Sequence, residues 1–401
     1  MDAHVTDTGT TTADEAPAPA PAPPPAPRRR RWLRWVALGT SVLVLAATGV
    51  GWALYQKLNG NIRTDRDTAE ELARHENERP AAAGGEVQNI LLLGSDSRDG
   101  ANAEYGRGGT ERADTTILLH LPADRSDATA VSLPRDLMVD IPGCSRPDGG
   151  TTRPQFAQFN WAFEYGGAAC TIRTVERLTG IRVDHHLIVD FSGFKELVDA
   201  LGGVEVCLRE EVHDQDAHLD LDAGRQTLYG ADALGFVRAR KSFDGSDTQR
   251  IERQQQFLGS LVKKTRSNGV LLNPAKLYPV LNAATSALTA DTGLDSLREL
   301  YDLVRSLREI PEEQVRFLTV PRRPYAQDGN RDELVQPAAD RLFTLLRDDL
   351  PVPVDDEPDA DGSAGEGADD TSPSPGPTPT YRGTTAARDV CTQEGAGNGA
   401  N

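Results

Sequence analysis

The 401-residue chain has no C-x-x-C spacing among its four cysteines, which argues against a zinc site. It has no G-x-S-x-G turn, so Ser95 and Ser97 lack the signature of an activated nucleophile. It has no basic excess. The formal net charge is −18, which argues against nucleic acid as a partner, because phosphate backbones require a basic footprint. Nothing in it reads as a helix-turn-helix, and no internal repeat is present.

One stretch lacks charge altogether. Trp35 to Tyr55 reads WVALGTSVLVLAATGVGWALY. About 20 apolar residues at 1.5 Å each span a ~30 Å hydrocarbon core. Trp32, Trp35, Trp52 and Tyr55 sit at its ends, where amphipathic rings favour the interface. Arg28 to Arg31 and Arg34 precede it, which predicts a cytoplasmic N-terminus and an outward-facing remainder. A cleaved signal peptide is the competing reading. The apolar run exceeds the roughly 7–15 residues of a signal core, and no A-x-A site follows it.

The composition divides the rest. Residues 1–31, rich in Pro and Ala, read as a disordered cytoplasmic tail, and 32–56 as the membrane helix. Residues 57–86 are charged and helix-compatible, and read as a stalk. Residues 87–350 read as the folded outer domain. Residues 351–401, acidic and rich in Pro and Gly, read as a disordered tail. All four cysteines lie beyond the membrane run, where disulfides are permitted. Cys144 and Cys170 flank one loop-rich stretch and are expected to pair. Cys207 and Cys391 then remain, either paired with each other or left as free or intermolecular thiols.

Short apolar strands are expected at Gln88 to Leu93, Thr115 to Leu121, Thr129 to Leu133, His185 to Val189, Val204 to Leu208 and Val315 to Val320. Helices are expected at Asn160 to Leu178, Gly193 to Leu201, Ala231 to Val237 and Thr248 to Arg266, and the segments Leu297 to Leu307 and Pro337 to Leu346 complete the domain. This interleaving indicates α/β layers around one sheet.

Polar clusters stand where apolar strands begin or end. They are Asp96 with Arg98, Arg112 with Asp114, and Arg135 with Asp136. Arg238 with Arg240, and Arg250 with Gln254, lie on or beside helices. One such cluster alone is an ordinary solvated ion pair. Their recurrence at strand ends, where open α/β sheets gather ligands, points to a shared site. Two carboxylates, Asp96 and Asp114, can share a divalent cation, and guanidiniums bind diphosphate through bidentate forks. Arg250, Arg253, Gln254, Phe257 and Leu261 fall on one helical stripe, polar first and apolar later. Arg238 and Arg240 face one ligand only if the chain is extended there, so the preceding helix should end near Val237. Asp136 is expected to orient Arg135 or cap a turn. No role is assigned to His185 or His186.

From about Asn89 to Lys264 the sequence resembles the LytR-CpsA-Psr family of cell-envelope phosphotransferases. The resemblance rests on LLLGSDSR, RADTTILLHL, SLPRD, TVERLTGIRVDHHLIVDFSGF, LVDALGGVEV, ADALGFVRAR and SDTQRIERQQQF, in that order. It implies a three-layer α-β-α fold with a central mixed sheet and helices on both faces, preceded by one transmembrane helix. It also implies a single-pass membrane protein whose catalytic domain is extracytoplasmic. The implied reaction moves a glycopolymer from a polyprenyl-pyrophosphate carrier to peptidoglycan, at the C6 hydroxyl of N-acetylmuramic acid. Polyprenyl phosphate is released. Mg²⁺, or Mn²⁺, would sit on Asp96 and Asp114. Arg98, Arg112, Arg135, Arg238 and Arg240 would hold the pyrophosphate, with Arg250 and Gln254 nearby. Asp96, Arg98, Arg112 and Asp114 would form the catalytic group. The polyprenyl chain would enter an apolar pocket. The GANAEYGRGG segment departs from the family pattern and is expected to form a lip. Hydrolysis of the same donor would use the same residues, and a non-catalytic envelope sensor or transcriptional attenuator is a third reading.

Overall fold

The computed structural model describes residues 29–95, 113–146, 148–239, 247–266, 273–355, 380–388 and 391. The chain divides after Leu54 into two compact units. The first contributes most of helix α1 (Arg29–Asn61), whose segment Trp32–Asn61 is long and apolar enough to cross a membrane. Its large apolar side chains, Trp35 and Val42 to Leu45 among them, are exposed along the helix.

The second unit is built on a nine-stranded mixed sheet. Its strands are β1 (Arg63–Thr64), β2 (Gln88–Ser95), β3 (Ala113–Leu121), β4 (Ala128–Ser132) and β5 (His185–Asp190). Then follow β6 (Leu288–Ala290), β7 (Val315–Thr319), β8 (Val354–Asp355) and β9 (Tyr381–Thr385). The spatial order is β1-β6-β5-β2-β3-β4-β7-β9-β8. β2 is parallel to β5 and antiparallel to β3, and β4 is antiparallel to β3 and parallel to β7. The ends of β2, β4, β5 and β7 therefore meet the start of β3 along one margin of the sheet.

Alternation along the strands gives the sheet two apolar faces. Leu91, Leu93, Leu118 and Val131 pack beneath α3 (Trp161–Thr179) and α9 (Ala338–Arg347). Ile90, Ile117 and Ala130 face α6 (Asp247–Arg266) and α8 (Leu297–Glu309). The result is the expected three-layer arrangement. A third core gathers Val198 of α4 (Phe191–Ala200), Phe236 of α5 (Gly230–Arg238) and Phe257 of α6. It is closed by the antiparallel ribbon of Val204–Leu208 and Gly224–Leu228, so the 204–208 strand lies outside the main sheet. Helix α3 bends at Gly166 and Gly167. A Cβ on Gly166 would lie 2.7 Å from the Ser145 carbonyl oxygen, beside the Cys144–Cys170 disulfide.

Two boundaries are corrected. Residues 57–86 are not a stalk but part of the fold. Lys57 lies over the Tyr278 ring of α7 (Pro274–Ala287), Asn59 accepts from the Leu297 amide, and β1 joins the sheet. Helix α2 (Arg66–Arg74) packs on α3, and Arg79 makes a bidentate pair with buried Glu176 at 2.7–3.1 Å. The domain also does not end at residue 350. β9 pairs antiparallel with β7, and Cys391 is disulfide-bonded to Cys207. Both disulfides considered from the sequence are present.

Candidate active site

The shared margin of the sheet carries the polar residues. A bulge at Gly94/Ser95 lets β3 offer Thr115 opposite Gly94 and Ala113 opposite Ser95, leaving Asp114 between them. Bulges re-aim side chains, and this one places a carboxylate at the sheet end. β4 runs into Leu133-Pro134-Arg135-Asp136, where proline removes a ladder donor and strand pairing stops.

Arg135 Nη1 donates to Asp114 Oδ1 at 2.6 Å, and its Nε donates to Asp136 Oδ2 at 3.3 Å. Asp136 thus orients Arg135, as expected. Its other oxygen accepts from Gln158 Nε2 at 2.7 Å. The three charged side chains are each only about a fifth to a quarter exposed, so their attraction is screened less than at an open surface.

Helix α6 supplies the opposite wall. Gln254 Nε2 donates to Thr115 Oγ1 at 3.2 Å and to the Val237 carbonyl at 3.1 Å. Gln255 Nε2 reaches Thr319 Oγ1 at 3.1 Å and Ser132 Oγ at 3.4 Å. Arg253 donates to the carbonyl of Ala239. Asp114, Thr115, Ser132, Arg135, Arg250 and Gln254 line one shallow cleft that opens to solvent. Arg250 is itself buried within that wall. Helix α5 ends at Arg238, and Ala239 is extended (φ −53°, ψ 137°), as the Arg238/Arg240 spacing requires. The Arg238 guanidinium carbon stands 5.0 Å from the Phe191 ring centroid, a cation–π contact just beyond β5. Phe257 and Leu261 on the lower part of the α6 stripe belong to the third core.

Five predicted residues are therefore placed: Asp114, Arg135, Arg250 and Gln254 in one cleft, and Arg238 at the same sheet margin. Asp96, Arg98, Arg112 and Arg240, and the GANAEYGRGG segment, lie outside the described residues. The sequence reading missed the hydroxyls of Thr115 and Ser132, the ring of Phe191 and the amide of Gln158. Only the i, i+4 position of Gln254 relative to Arg250 hinted at the α6 wall. The cleft's carboxylate and hydroxyl oxygens, with no sulfur or imidazole among its lining residues, suit a hard divalent cation.

The LytR_cpsA_psr family profile matches residues 54–347. A probable cell wall biosynthesis protein LcpB of Corynebacterium glutamicum is 38% identical over 55% of this chain and 52% of its own length. A polyisoprenyl-teichoic acid–peptidoglycan teichoic acid transferase TagU of Enterococcus faecalis is 32% identical over 65% of this chain and 78% of its own. The chain thus spans about half the length of the LcpB relative. Among solved structures, a LytR-Csp2A-Psr enzyme from Actinomyces oris shares the fold, with a TM-score of 0.53 and 22% identity, covering 67% of this chain and 93% of that one. With the family profile matched over residues 54–347 and the fold shared with that solved structure, the chain belongs to the LytR-CpsA-Psr family.

Proposed function

We propose that this protein transfers a glycopolymer from a membrane-bound polyprenyl-pyrophosphate carrier to peptidoglycan, from a domain held outside the cell by helix α1. The observation that carries the reading is the convergence of Asp114, Arg135, Arg250 and Gln254 on one cleft at the sheet margin. The names of the E. faecalis and C. glutamicum relatives support it at the level of cell-wall transfer.

In this reading the acceptor hydroxyl of N-acetylmuramic acid attacks the phosphorus bonded to the glycopolymer. The bond from that phosphorus to the oxygen bridging the pyrophosphate breaks. Polyprenyl phosphate departs with the electron pair, and the hydroxyl proton passes to solvent. Phosphoryl transfer depends on position and charge neutralisation more than on covalent help. Arg135 is fixed by Asp114 on one side and Asp136 on the other, so it meets the phosphate already oriented. Arg250, buried at the start of α6, adds a fixed positive charge in a site of low dielectric. Arg238, held over Phe191, adds another at the margin. Asp114, together with Asp96, would hold Mg²⁺, which when bound supplies charge neutralisation to the pyrophosphate.

Product analysis with a lipid-linked donor and peptidoglycan tests the reading. A new phosphodiester to muramic acid is expected. Free polymer phosphate alone would make the protein a hydrolase, and absence of any turnover on the donor would return it to a sensor.

A further inference from the structure

Phe156 is the one exposed phenylalanine among the described residues, at 52% of its full surface. It stands on an antiparallel ribbon, Met138–Ile141 paired with Gln155–Gln158, opposite Asp140. Its ring lies 6.1 Å from that of Tyr325, tilted by 56°. Tyr325 belongs to a second ribbon, Arg322–Tyr325 with Asp328–Leu334.

Both ribbons are tied to the same residue. On the first, Gln158 is two positions from Phe156 and so projects from the same face. It donates to the Asp136 carboxylate at 2.7 Å. On the second, the Asp332 amide donates to the Asp136 carbonyl at 3.1 Å, and Arg331 reaches the Asp136 carboxylate at 3.8 Å. Asp136 is the neighbour of Arg135 and pairs with it. The aromatic pair is thus fixed to the cleft through short bonds, with Phe156 about 7 Å along its strand from Gln158.

We propose that Phe156 and Tyr325 form a platform for a sugar ring of the peptidoglycan acceptor strand. The proposal rests on the transferase reading for its choice of glycan. A sugar presents an apolar C–H face and a polar rim, which suits an isolated aromatic pair among hydrogen-bonding groups. Exposed Arg323, paired with Glu333, and half-exposed Arg331 and Asp328 supply that polar surround. A protein partner would call for a wider apolar patch than two rings. The side of the cleft selects acceptor over donor. Arg250 and Gln254 close the cleft from α6, whereas the ribbons attach beyond Arg135 at Asp136. The platform is thus anchored on the Arg135–Asp136 side of the cleft and not on α6, and for that reason the acceptor is assigned to it.

The experiment measures co-sedimentation of the full chain, in detergent or nanodiscs, with purified sacculi freed of attached polymer. Isolated donor glycopolymer serves as a soluble competitor. Phe156→Ala should weaken sedimentation about tenfold, the loss expected for one aromatic contact of about 1.4 kcal/mol. Phe156→Trp should restore it, and donor glycopolymer should not compete. Binding by Phe156→Ala equal to wild type overturns the proposal. So does equal loss in both variants, which would mark the ring as packing only. Effective competition by donor glycopolymer also overturns it, by assigning the platform to the donor. The assay needs no turnover, so it separates the two readings. Wild type that binds sacculi through the pair but forms no phosphodiester sinks the transferase reading alone. Wild type that forms the phosphodiester, with Phe156→Ala unchanged in its acceptor KM, sinks the platform alone.

Discussion

Arg135 and Asp114, 21 positions apart, close a 2.6 Å ion pair between the end of one strand and the start of its antiparallel neighbour. The pair fixes the guanidinium plane, and a fork held in plane donates to two phosphate oxygens at once. Arg135→Lys keeps the charge and loses the fork. It is expected to lower the turnover number about 10²-fold, with a smaller change in donor KM, in an assay with lipid-linked donor. Asp114→Asn should lose as much or more, and added Mg²⁺ should not rescue it.

Gln254 joins Thr115 to the Val237 carbonyl and so sets where α5 stops relative to β3. Gln254→Ala leaves both partners to water in a part-buried site. A cost of about 1–2 kcal/mol in stability is expected, read by thermal unfolding of the detergent-solubilised chain. A drop in transfer of about tenfold should accompany it, because Arg238 lies next to the released carbonyl.

Acid and base should act at the far edge of the sheet. His185 Nδ1 lies 3.1 Å from Asp291 Oδ1, and His186 Nε2 lies 3.1 Å from Asp65 Oδ2. The Asp291 hydrogen bond raises the His185 pKa above the usual 6.5, against the opposing pull of burial. That stabilisation is complete below about pH 6.5 and is lost as pH climbs through the raised value. Burial alone would raise Asp291 and Asp65. Hydrogen bonds from the two histidines and from backbone amides outweigh it and hold both carboxyls below the usual 3.8. Their stabilisation is present above that value and is lost as pH falls through the lowered ones. Melting temperature should therefore decline at both ends of a pH series, and His185→Gln should flatten the alkaline limb and weaken the acid limb in part, since Asp65 keeps His186 and Asp291 keeps its backbone donors.

Cys207 and Cys391 are 184 residues apart. Closing so long a loop limits the unfolded chain, which in the chain-entropy account contributes about 5 kcal/mol. Cys207→Ser should lower the melting temperature and speed proteolysis near Ala386. A Cys144→Ser variant, which opens a loop of 26 residues, should lose less.

Deleting everything after residue 355 should be worse than removing the disulfide. It strips β9 from β7 and bares the edge groups of Arg316 to Leu318. An unpaired edge invites pairing between chains, so light scattering of the truncated protein is expected to rise during refolding.

What could be read in the sequence follows the strength of each local signal. QNILLL announces β2 because a buried strand needs an unbroken apolar run. Asp114 and Arg135 could be read as neighbours because one stands at the start and the other just past the end of such runs. β1 could not be seen. Arg63 and Thr64 are two polar residues, and only pairing with Thr289 and Ala290 makes them a strand. Residues 57–86 looked like a stalk because they are charged, yet those charges are satisfied inside the fold, Arg79 by Glu176 and Arg173 by Glu78. β9 was hidden by the acidic, proline-rich sequence around it, since its pairing partner lies some 60 positions upstream. The aromatic pair of Phe156 and Tyr325 was equally silent, because nothing local brings positions 156 and 325 together.

The late position of β9 has a consequence for biogenesis. The sheet takes its first strand from residues just after helix α1, and β7 finds its partner β9 only about 65 positions further along the chain. A growing chain can pair β2 with β3, β3 with β4 and β5 with β2 in order, but β7 keeps an open edge until Tyr381 to Thr385 emerge. Until then the exposed edge is a point where a holding chaperone or a neighbouring nascent chain would first make contact.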